Sequence, residues 1–419
     1  MEIVREVTVH EGFEVIVSGG GVAGTAAAVA AARAGKRVLL IEKNCVLGGL
    51  ATSGLINLFV PMCNGRGRKI IFGMVDEFVS RAIRHGYDRT PPEWRDGKSP
   101  ASTTSRYAVW FSPQIFALEL AALLEECGVR VMFDTRITEV VMSGGHCRGV
   151  VVENVSGAGF YPAQVVIDAT GDATVLHRAG VPTVEGRNFF TYCAHGISLA
   201  SCEAAVAAGD IARAVAWRSG GDADLYGRRH PEGMKFYGGV DGDEVSEYLL
   251  KNQLTLLEKL AGEDRRSREI VTLPGMAQLR TIRRIAGDYT LTVEDSYRHF
   301  DDSVAAICDF DRRDYLFEIP WRTMRHSGFD NLIAAGRVTS AEGYAWDVVR
   351  VIPPAILTGQ AAGTAAALAL DSGRNVDELA VNELQSRLRS GGMLIHFDDA
   401  WIPEAGAAAD GDGSVPGHM

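Results

Sequence analysis

The stretch that decides the fold is 15–42, VIVSGGGVAGTAAAVAAARAGKRVLLIE, near the start of the 419-residue sequence. An apolar run leads into the glycine-rich turn 19–24, an alanine-rich segment follows, and a second apolar run ends at Glu42. This order predicts a strand, a glycine turn, a helix and a second strand that ends in an acid. A GxGxxG turn inside such a βαβ unit, with an acid about twenty residues later, is typical of dinucleotide binding.

Four residues of this unit suit dinucleotide binding, since Gly19 and Gly24 shape the turn and Gly21 and Glu42 face the ligand. Gly19 permits the tight turn, Gly21 lets the backbone approach a pyrophosphate, and Gly24 lets the helix pack closely on the strand. The helix N-terminus offers free N–H groups and a partial positive charge to the pyrophosphate. Glu42 is expected to bind the ribose hydroxyls, and its charge disfavours a 2′-phosphate. The alternative interpretation is a glycine-rich turn in an unrelated α/β protein.

Charge and composition exclude several classes of partner. The sequence contains 42 Lys and Arg against 53 Asp and Glu, which gives a net charge of −11, and it shows no basic cluster. This balance argues against binding to nucleic acid or to an anionic membrane surface. Charged residues interrupt the alanine-rich segments short of about twenty apolar residues, so no membrane span is predicted. Residues 1–14 are charged throughout, so no secretory leader is expected.

The seven cysteines are scattered and form no CxxC pair. A sparse, odd set in a long chain fits reduced thiols in the cytoplasm better than a disulfide scaffold, and a cytoplasmic protein is therefore expected. Cys193, His195 and Cys202 lie close together in sequence. Their spacing matches no familiar zinc pattern, so no metal site is expected.

Strands and helices alternate along the rest of the sequence. A serine cap followed by proline predicts a helix from 112 to about 127. The predicted strands, which are apolar runs bounded by turn residues, are 129–133, 137–142, 147–155, 165–169 and 331–335. A helix opened by Pro353 and Pro354 is predicted over 355–370, and an amphipathic helix near 243–261.

These elements predict one nucleotide-binding domain that is assembled from separated pieces, with a second domain inserted. The middle of the chain is enriched in aromatic and charged residues and lacks a second nucleotide-binding turn, so it is interpreted as a substrate domain. The predicted boundaries are 13–60, 106–186 and 326–372 for the nucleotide-binding domain, 61–105 for a loop or small subdomain, 187–325 for the substrate domain, 373–403 for a C-terminal helix and strand, and 404–419 for a disordered tail.

Four further blocks extend the pattern: GGLATSG at 48–54, DATGD at 168–172, NLIAAGR at 331–337 and VRVIPPAILTGQAAG at 349–363. With the glycine turn, they resemble the FAD-dependent oxidoreductase family of the glutathione-reductase-like, two-domain flavoprotein fold. The resemblance implies an α/β fold, in which a Rossmann-like FAD-binding domain, with a parallel sheet and a β-meander crossover, carries an inserted α+β substrate domain. It also implies FAD as the cofactor, because the blocks together, unlike any one alone, are specific for FAD.

The resemblance and the local chemistry together name the expected FAD-binding residues. Gly48 and Gly49 present bare backbone amides, and residues 170–172 end a parallel strand at the edge where such sheets bind ligands. The expected set is Gly19, Gly21, Val22, Ala23, Gly24, Glu42, Lys43, Gly48, Gly49, Leu50, Ala51, Thr52, Ile137, Ala169, Thr170, Gly171, Asp172, Gly336, Arg337, Arg350 and Pro354.

The expected reaction follows from what the sequence contains and lacks. It has one GxGxxG turn and no CxxC pair, which disfavours a disulfide reductase with its own nicotinamide domain. Flavin hydroxylases typically have Gly-Asp where this sequence has Gly336 and Arg337. We therefore expect an oxidase or dehydrogenase that passes a hydride from a small polar metabolite to flavin N5, with oxygen or another acceptor taking the electrons. A reductase or monooxygenase that uses diffusible NAD(P)H, and a non-catalytic FAD-binding protein, are the alternatives.

Five residues are candidates for the chemistry. His195 is a candidate base, since a hydride donor with an OH or NH needs one in reach, although such a histidine can equally be a hydrogen-bonded core residue. The fold resemblance places Tyr344 and Asp347 near the flavin, and Arg322 either faces substrate or locks the two domains together. Arg350 precedes the last helix, whose dipole stabilises an anionic reduced flavin if it faces the N1–O2 edge. Three roles are open for Arg350. It adds a full positive charge to the helix dipole, it binds an anionic substrate, or it only forms an ion pair with Asp347. The oligomeric state and covalent attachment of the flavin stay open.

Overall fold

The computed structural model describes residues 6–95 and 106–403, and the predicted disordered tail at 404–419 lies outside them. The helices of this part of the chain are α1 (Val22–Arg33), α2 (Met74–Arg84), α3 (Pro113–Glu126), α4 (Thr174–Arg178), α5 (Leu199–Ala208), α6 (Gly242–Ala261), α7 (Gly343–Val349), α8 (Ile352–Ser372) and α9 (Val381–Ser390). The strands are β1 (Thr8–Val9), β2 (Phe13–Ser18), β3 (Val38–Ile41), β4 (Leu58–Phe59), β5 (Val109–Trp110), β6 (Arg130–Met132), β7 (Arg136–Ser143), β8 (His146–Asn154), β9 (Gly157–Asp168), β10 (Thr183–Glu185), β11 (Thr191–Ser198), β12 (Ala216–Asp222), β13 (Arg268–Thr272), β14 (Arg283–Ile285), β15 (Ser303–Cys308), β16 (Leu316–Pro320) and β17 (Leu332–Ala334).

The central sheet has the strand order β6-β3-β2-β9-β8-β7, and β1 and β17 also pair with β9. The strands β6, β3, β2, β9 and β17 run parallel, with Ile16 opposite Val166. The first half of β9 pairs antiparallel with β8, and β8 with β7. The long strand β9 therefore joins a parallel sheet to an antiparallel meander, and the predicted α/β fold with a meander crossover is confirmed.

Helices α1 and α8 cross at very short distance because small residues meet at the crossing. A Cβ atom built on Gly359 would lie 2.1 Å from the Ala23 carbonyl oxygen, and one on Gly363 would lie 2.2 Å from that of Ala27. Almost every residue of both helices is buried. The alanines and glycines that the sequence shows in these two segments are thus explained by helix-to-helix contact as well as by the sheet beneath.

The segment 187–325, predicted as one substrate domain, is divided between separate cores. Its first part forms small clusters around α6 and β11, built on Phe190, Tyr192, Tyr248 and other aromatic side chains. The part from Leu291 onward belongs to the large core that also contains α1 and α8. The change of packing therefore falls near residue 282 instead of 325, because β15 packs against α8 and α9 and its partner β16 buries apolar side chains in the same large core.

Two shorter predictions also differ from the structure. The segment 61–105, predicted as a loop or small subdomain, contains α2, and its side chains Phe78 and Trp94 lie in the large core. In the segment 373–403 the helix α9 is present, but no strand occurs in its described residues. The carbonyls of Leu394 and Ile395 instead accept single hydrogen bonds from β15.

Among the described residues, no single helix is long and apolar enough to cross a membrane. The helices α7 and α8 meet the length and composition criteria only as a pair, which is bent by 76° at the break between them.

Candidate functional site

A cleft opens where the parallel strands end, at the N-terminus of α1 and the start of α8. It is lined by most of the residues that the sequence analysis assigned to FAD, namely Gly19, Gly21, Val22, Ala23, Glu42, Lys43, Gly48, Gly49, Leu50, Ala51, Ala169, Thr170, Gly171, Gly336, Arg337 and Arg350. An adjoining cavity shares Gly19, Glu42, Lys43 and Thr170 with the cleft and is also lined by Ile137 and Asp172. The structure thus gathers these residues from six separated segments into one continuous groove.

The three glycines of the turn differ in what surrounds them. Gly19 has φ +95° and packs against the Ala169 backbone, so a side chain there is strained and meets an obstacle. A Cβ on Gly24 would lie 1.8 Å from the Gly19 carbonyl oxygen. A Cβ on Gly21, by contrast, meets no described atom within 4 Å and would stand in the open cleft. Gly21 is therefore the position where a side chain competes with a ligand and not with the protein.

The buried Glu42 carboxylate braces the turn. It is 5% exposed, and its Oε2 accepts a hydrogen bond of 2.6 Å from the Gly20 N–H. Its Oε1 accepts bonds of 2.8 Å from the backbone and side-chain N–H groups of Asn44. Glu42 also lines both the cleft and the adjoining cavity. It is therefore positioned to contact the ribose of a dinucleotide, which links the two phosphates to the base.

Three residues of the predicted FAD-binding set stand behind the cleft wall. Gly24 packs on Gly19, the Thr52 hydroxyl donates to the Leu47 carbonyl, and Pro354 is buried in the first turn of α8. These three residues support the cleft wall from behind and do not line the cleft.

Arg337 replaces the acid that the hydroxylase pattern has, and it fills the space that Gly171 leaves. A Cβ on Gly171 would lie 2.2 Å from the Arg337 guanidinium, and Arg337 donates a bond of 2.6 Å to the Leu279 carbonyl. Burial lowers the pKa of Arg337 to about 10, against the opposing effect of Asp172, and Arg350 lowers it further. The residue still carries its charge at neutral pH, so it gives the cleft a positive wall.

An apolar cavity continues from the cleft and shares Leu50, Arg350 and Ile352 with it. Its other lining residues are Ile56, Leu58, Val60, Thr191, Cys193, Leu225, Gln278, Arg280, Phe310 and Val351. Sequence reasoning missed Gln278, Arg280 and Phe310. Each lies outside the family blocks, and no local pattern distinguishes it from a surface or core residue.

Arg350 forms the ion pair that was one of the three roles the sequence left open. Its guanidinium pairs with the Asp347 carboxylate at 2.6 Å and 2.8 Å, and its side chain is 10% exposed. It also lines both the cleft and the apolar cavity. The ion pair is therefore present, and it holds the charge of Arg350 at the junction of the two spaces.

The structure places His195 away from this junction. Its Nε2 accepts a bond of 3.2 Å from the Trp217 indole N–H, and it lines a different cavity with Trp110 and Tyr87. Burial lowers the pKa of the His195 imidazole, so the ring is neutral at neutral pH. These contacts correspond to the hydrogen-bonded core histidine, the second of the two interpretations.

Tyr344 and Arg322 also fall short of the cavity. The Tyr344 hydroxyl donates to Asp309 at 2.8 Å, and its ring stacks behind Phe310. Burial raises the pKa of this hydroxyl and the Asp309 carboxylate raises it further, so Tyr344 is a donor and not a base. Arg322 pairs with Asp302 of its own segment at 3.0 Å and lies outside the cleft and the apolar cavity.

One group of possible metal ligands lies elsewhere. The ligand atoms of His299, Glu318 and His396 all lie within 4.8 Å of one another, on β16 and the loops beside it. Both imidazoles hydrogen-bond the buried Glu318 carboxylate, which accounts for the arrangement without an ion. The absence of a metal therefore stays a prediction.

Comparison with known proteins identifies the family. A family model described as FAD dependent oxidoreductase matches residues 14–193 and 238–388. Because this match covers most of the sequence, the chain belongs to the FAD-dependent oxidoreductase family. It is an enzyme of that family, and FAD is its cofactor.

Two curated relatives match part of the chain. A digeranylgeranylglycerophospholipid reductase from Methanoculleus marisnigri is 28% identical over 176 residues, which cover 41% of this chain and 42% of that protein. A thiamine thiazole synthase from Aeropyrum pernix is 30% identical over 181 residues, which cover 40% of this chain and 58% of that protein. The matched region thus spans about half the length of each relative.

Two solved structures resemble most of the chain at low sequence identity. A geranylgeranyl bacteriochlorophyll reductase-like protein from Thermoplasma acidophilum is 15% identical, with a TM-score of 0.42 and coverage of 92% of this chain and 93% of that one. CabE, an aromatic hydroxylase from angucycline biosynthesis, is 15% identical, with a TM-score of 0.46 and coverage of 93% and 71%.

The residues of the groove fit FAD. The first intrahelical bond of α1 runs from the Thr25 N–H to the Gly21 carbonyl, so the N–H groups of Val22, Ala23 and Gly24 have no intrahelical partner and suit a pyrophosphate. The open space at Gly21 leaves room for that group, and Glu42 at the junction of cleft and cavity suits the ribose hydroxyls. The two spaces that meet at Glu42, with the apolar cavity beyond, match a long dinucleotide better than a mononucleotide.

Proposed function

We propose that this chain is an FAD-dependent oxidase or dehydrogenase that acts on a small polar metabolite bound in the apolar cavity. The observation that supports this proposal is the shared wall, in which Leu50, Arg350 and Ile352 line both the cofactor cleft and the apolar cavity. When bound, FAD would supply the hydride acceptor, flavin N5, and oxygen or another acceptor would take the electrons on.

The chain's own residues bind, orient and exclude water. Leu58, Val60 and Phe310 give the cavity an apolar wall, which strengthens every charged contact inside it. The Asp347 carboxylate fixes the Arg350 guanidinium in one orientation beside the cofactor cleft. Burial raises the pKa of the Cys193 thiol to about 11, so Cys193 is a neutral wall residue and not a thiolate nucleophile.

A reductase that takes electrons from diffusible NAD(P)H is the second candidate. One observation favours it, since the Methanoculleus relative is named a reductase. For both candidates we propose a small-molecule substrate and a cytoplasmic location.

The first experiment is a visible absorbance spectrum of the purified protein, followed by anaerobic mixing. Flavin bands that bleach with an organic metabolite and not with NADPH support the oxidase or dehydrogenase. Rapid bleaching by NADPH alone supports the reductase. A colourless protein that does not take up added FAD contradicts both.

A further inference from the structure

Arg280 lines the apolar cavity, and the described residues provide no partner for its guanidinium. Its backbone N–H donates to Asn188 at 2.6 Å and so fixes the start of the side chain. The guanidinium itself forms no hydrogen bond or ion pair with the described residues, although it lines the cavity. The other two arginines of this wall differ, since Arg350 is paired with Asp347 and Arg337 donates to the Leu279 carbonyl.

No carboxylate is dedicated to Arg280. The nearby Asp347 favours its charged form, but Asp347 is held in an ion pair by Arg350, which repels Arg280. Burial lowers the pKa of Arg280 to about 10, which still leaves it charged at neutral pH. A cation that is partly removed from water without a partner is costly, and such a group in a cavity is a candidate for ligand binding.

The geometry of the Arg280 guanidinium indicates the chemical class of the ligand. A guanidinium offers a planar fork of N–H donors that matches a carboxylate in a bidentate contact. One free fork suits one monoanionic group better than a phosphate, which calls for several donors. The remaining wall is apolar, through Leu58, Val60, Leu225 and Phe310, and suits a hydrocarbon or aromatic body next to the acid.

We propose that Arg280 binds the carboxylate of the substrate, so that the substrate class is a small organic acid with an apolar body. This inference rests on the proposed function, because it assigns the ligand of the same cavity. It makes Arg280 a substrate-binding residue that anchors the acid while Arg350 stands at the cofactor side.

The test uses the FAD-loaded protein, with benzoate, phenylacetate and hexanoate as probes and their amides as neutral controls. Binding is measured by titration calorimetry, and flavin content and circular dichroism are recorded for each variant. We expect at least one acid to bind about tenfold or more tightly than its amide. Arg280→Met should abolish that preference with unchanged flavin content, and Arg280→Lys should keep part of it. Arg265→Met, at an exposed position, is the matched control and should bind like the parent protein.

Three results would overturn the inference. They are equal binding of acids and amides by the parent protein, an unchanged preference for the acid in Arg280→Met, and loss of FAD from a folded Arg280→Met, which would assign the residue to the cofactor. Failure of the proposed function gives a different result. In that case carboxylates bind through Arg280, but no metabolite or nicotinamide bleaches the flavin. The anion-binding site would then stand, and the redox function would be contradicted.

Discussion

Single residues of the glycine turn separate ligand binding from folding. Gly21 faces open space in an extended conformation, with φ −66° and ψ 178°, which any residue adopts. Gly24 faces the Gly19 carbonyl at a distance that no Cβ tolerates. Two glycines three positions apart therefore predict opposite phenotypes.

The first prediction uses that contrast. Gly21→Val should purify without FAD while the stability of the FAD-free protein changes by only about 0.5 kcal/mol, because its side chain occupies pyrophosphate space and its Cβ meets no described atom within 4 Å. Gly24→Ala should instead lose about 1–3 kcal/mol, the range for overpacked sites. Flavin absorbance and chemical unfolding measure the two effects. Normal flavin content in Gly21→Val would remove this residue from the site.

The second prediction concerns the charge of Arg350. If that charge stabilises an anionic reduced flavin, Arg350→Met should lower the midpoint potential of the bound FAD by several tens of millivolts, since about 30 mV corresponds to 1.4 kcal/mol for two electrons. Asp347→Asn is the matched control, because it breaks the same ion pair but keeps the arginine. Dye-coupled reduction gives both potentials. Equal midpoint potentials in the two variants, with equal losses of stability, would show that Arg350 has only a structural role.

At the scale of elements, the crossing of α1 and α8 places the cofactor cleft. The glycine turn precedes α1, and Arg350 with Val351 precedes α8, so the crossing brings both helix starts to one side of the sheet. The close approach depends on Gly359 and Gly363. A substitution that disturbs this contact is expected to shift the N-terminus of one helix relative to that of the other.

The third prediction is that Gly359→Ala destabilises the protein by about 1–3 kcal/mol and weakens FAD binding, because the new methyl group lies against the Ala23 backbone. Gly242→Ala is the control, since no described atom lies within 4 Å of a Cβ there. It opens α6 and should be neutral or slightly stabilising. Thermal unfolding with and without added FAD tests both. An unchanged melting temperature in Gly359→Ala would contradict the close contact.

At the scale of the whole molecule, Gln278 connects the cofactor side to the small cores around β11. Its Nε2 donates to the Gly54 carbonyl at 2.6 Å and to the Cys193 carbonyl at 2.9 Å, and its Oε1 accepts from the Cys193 N–H at 2.8 Å. All three bonds are buried. The apolar cavity lies between the elements that this one side chain joins.

The fourth prediction follows from those bonds. Gln278→Ala should cost about 2–4 kcal/mol, because it leaves the buried Cys193 N–H and two carbonyls without their partner. The exposed Gln164 offers a matched Gln→Ala control, which should change stability by about 0.5 kcal/mol or less. Substrate binding should weaken more than FAD binding in Gln278→Ala, since the cavity wall loosens. Similar stability of the two variants would show that the three hydrogen bonds of Gln278 contribute little to stability.

The local pattern of the sequence was sufficient for the βαβ unit, the strands of the meander and the alanine-rich helices, because neighbouring residues encode each through period, turn glycines and helix starts. The family and FAD followed from several separated blocks taken together, and the family match confirms them. Tertiary structure alone decided that Arg280, Gln278 and Phe310 line a cavity with Leu50, and that His195 faces Trp217 instead. It also divided the segment 187–325 between separate cores. The physical reason is that these contacts join segments far apart in the chain, where the burial and charge of each side chain depend on packing partners that no local pattern names.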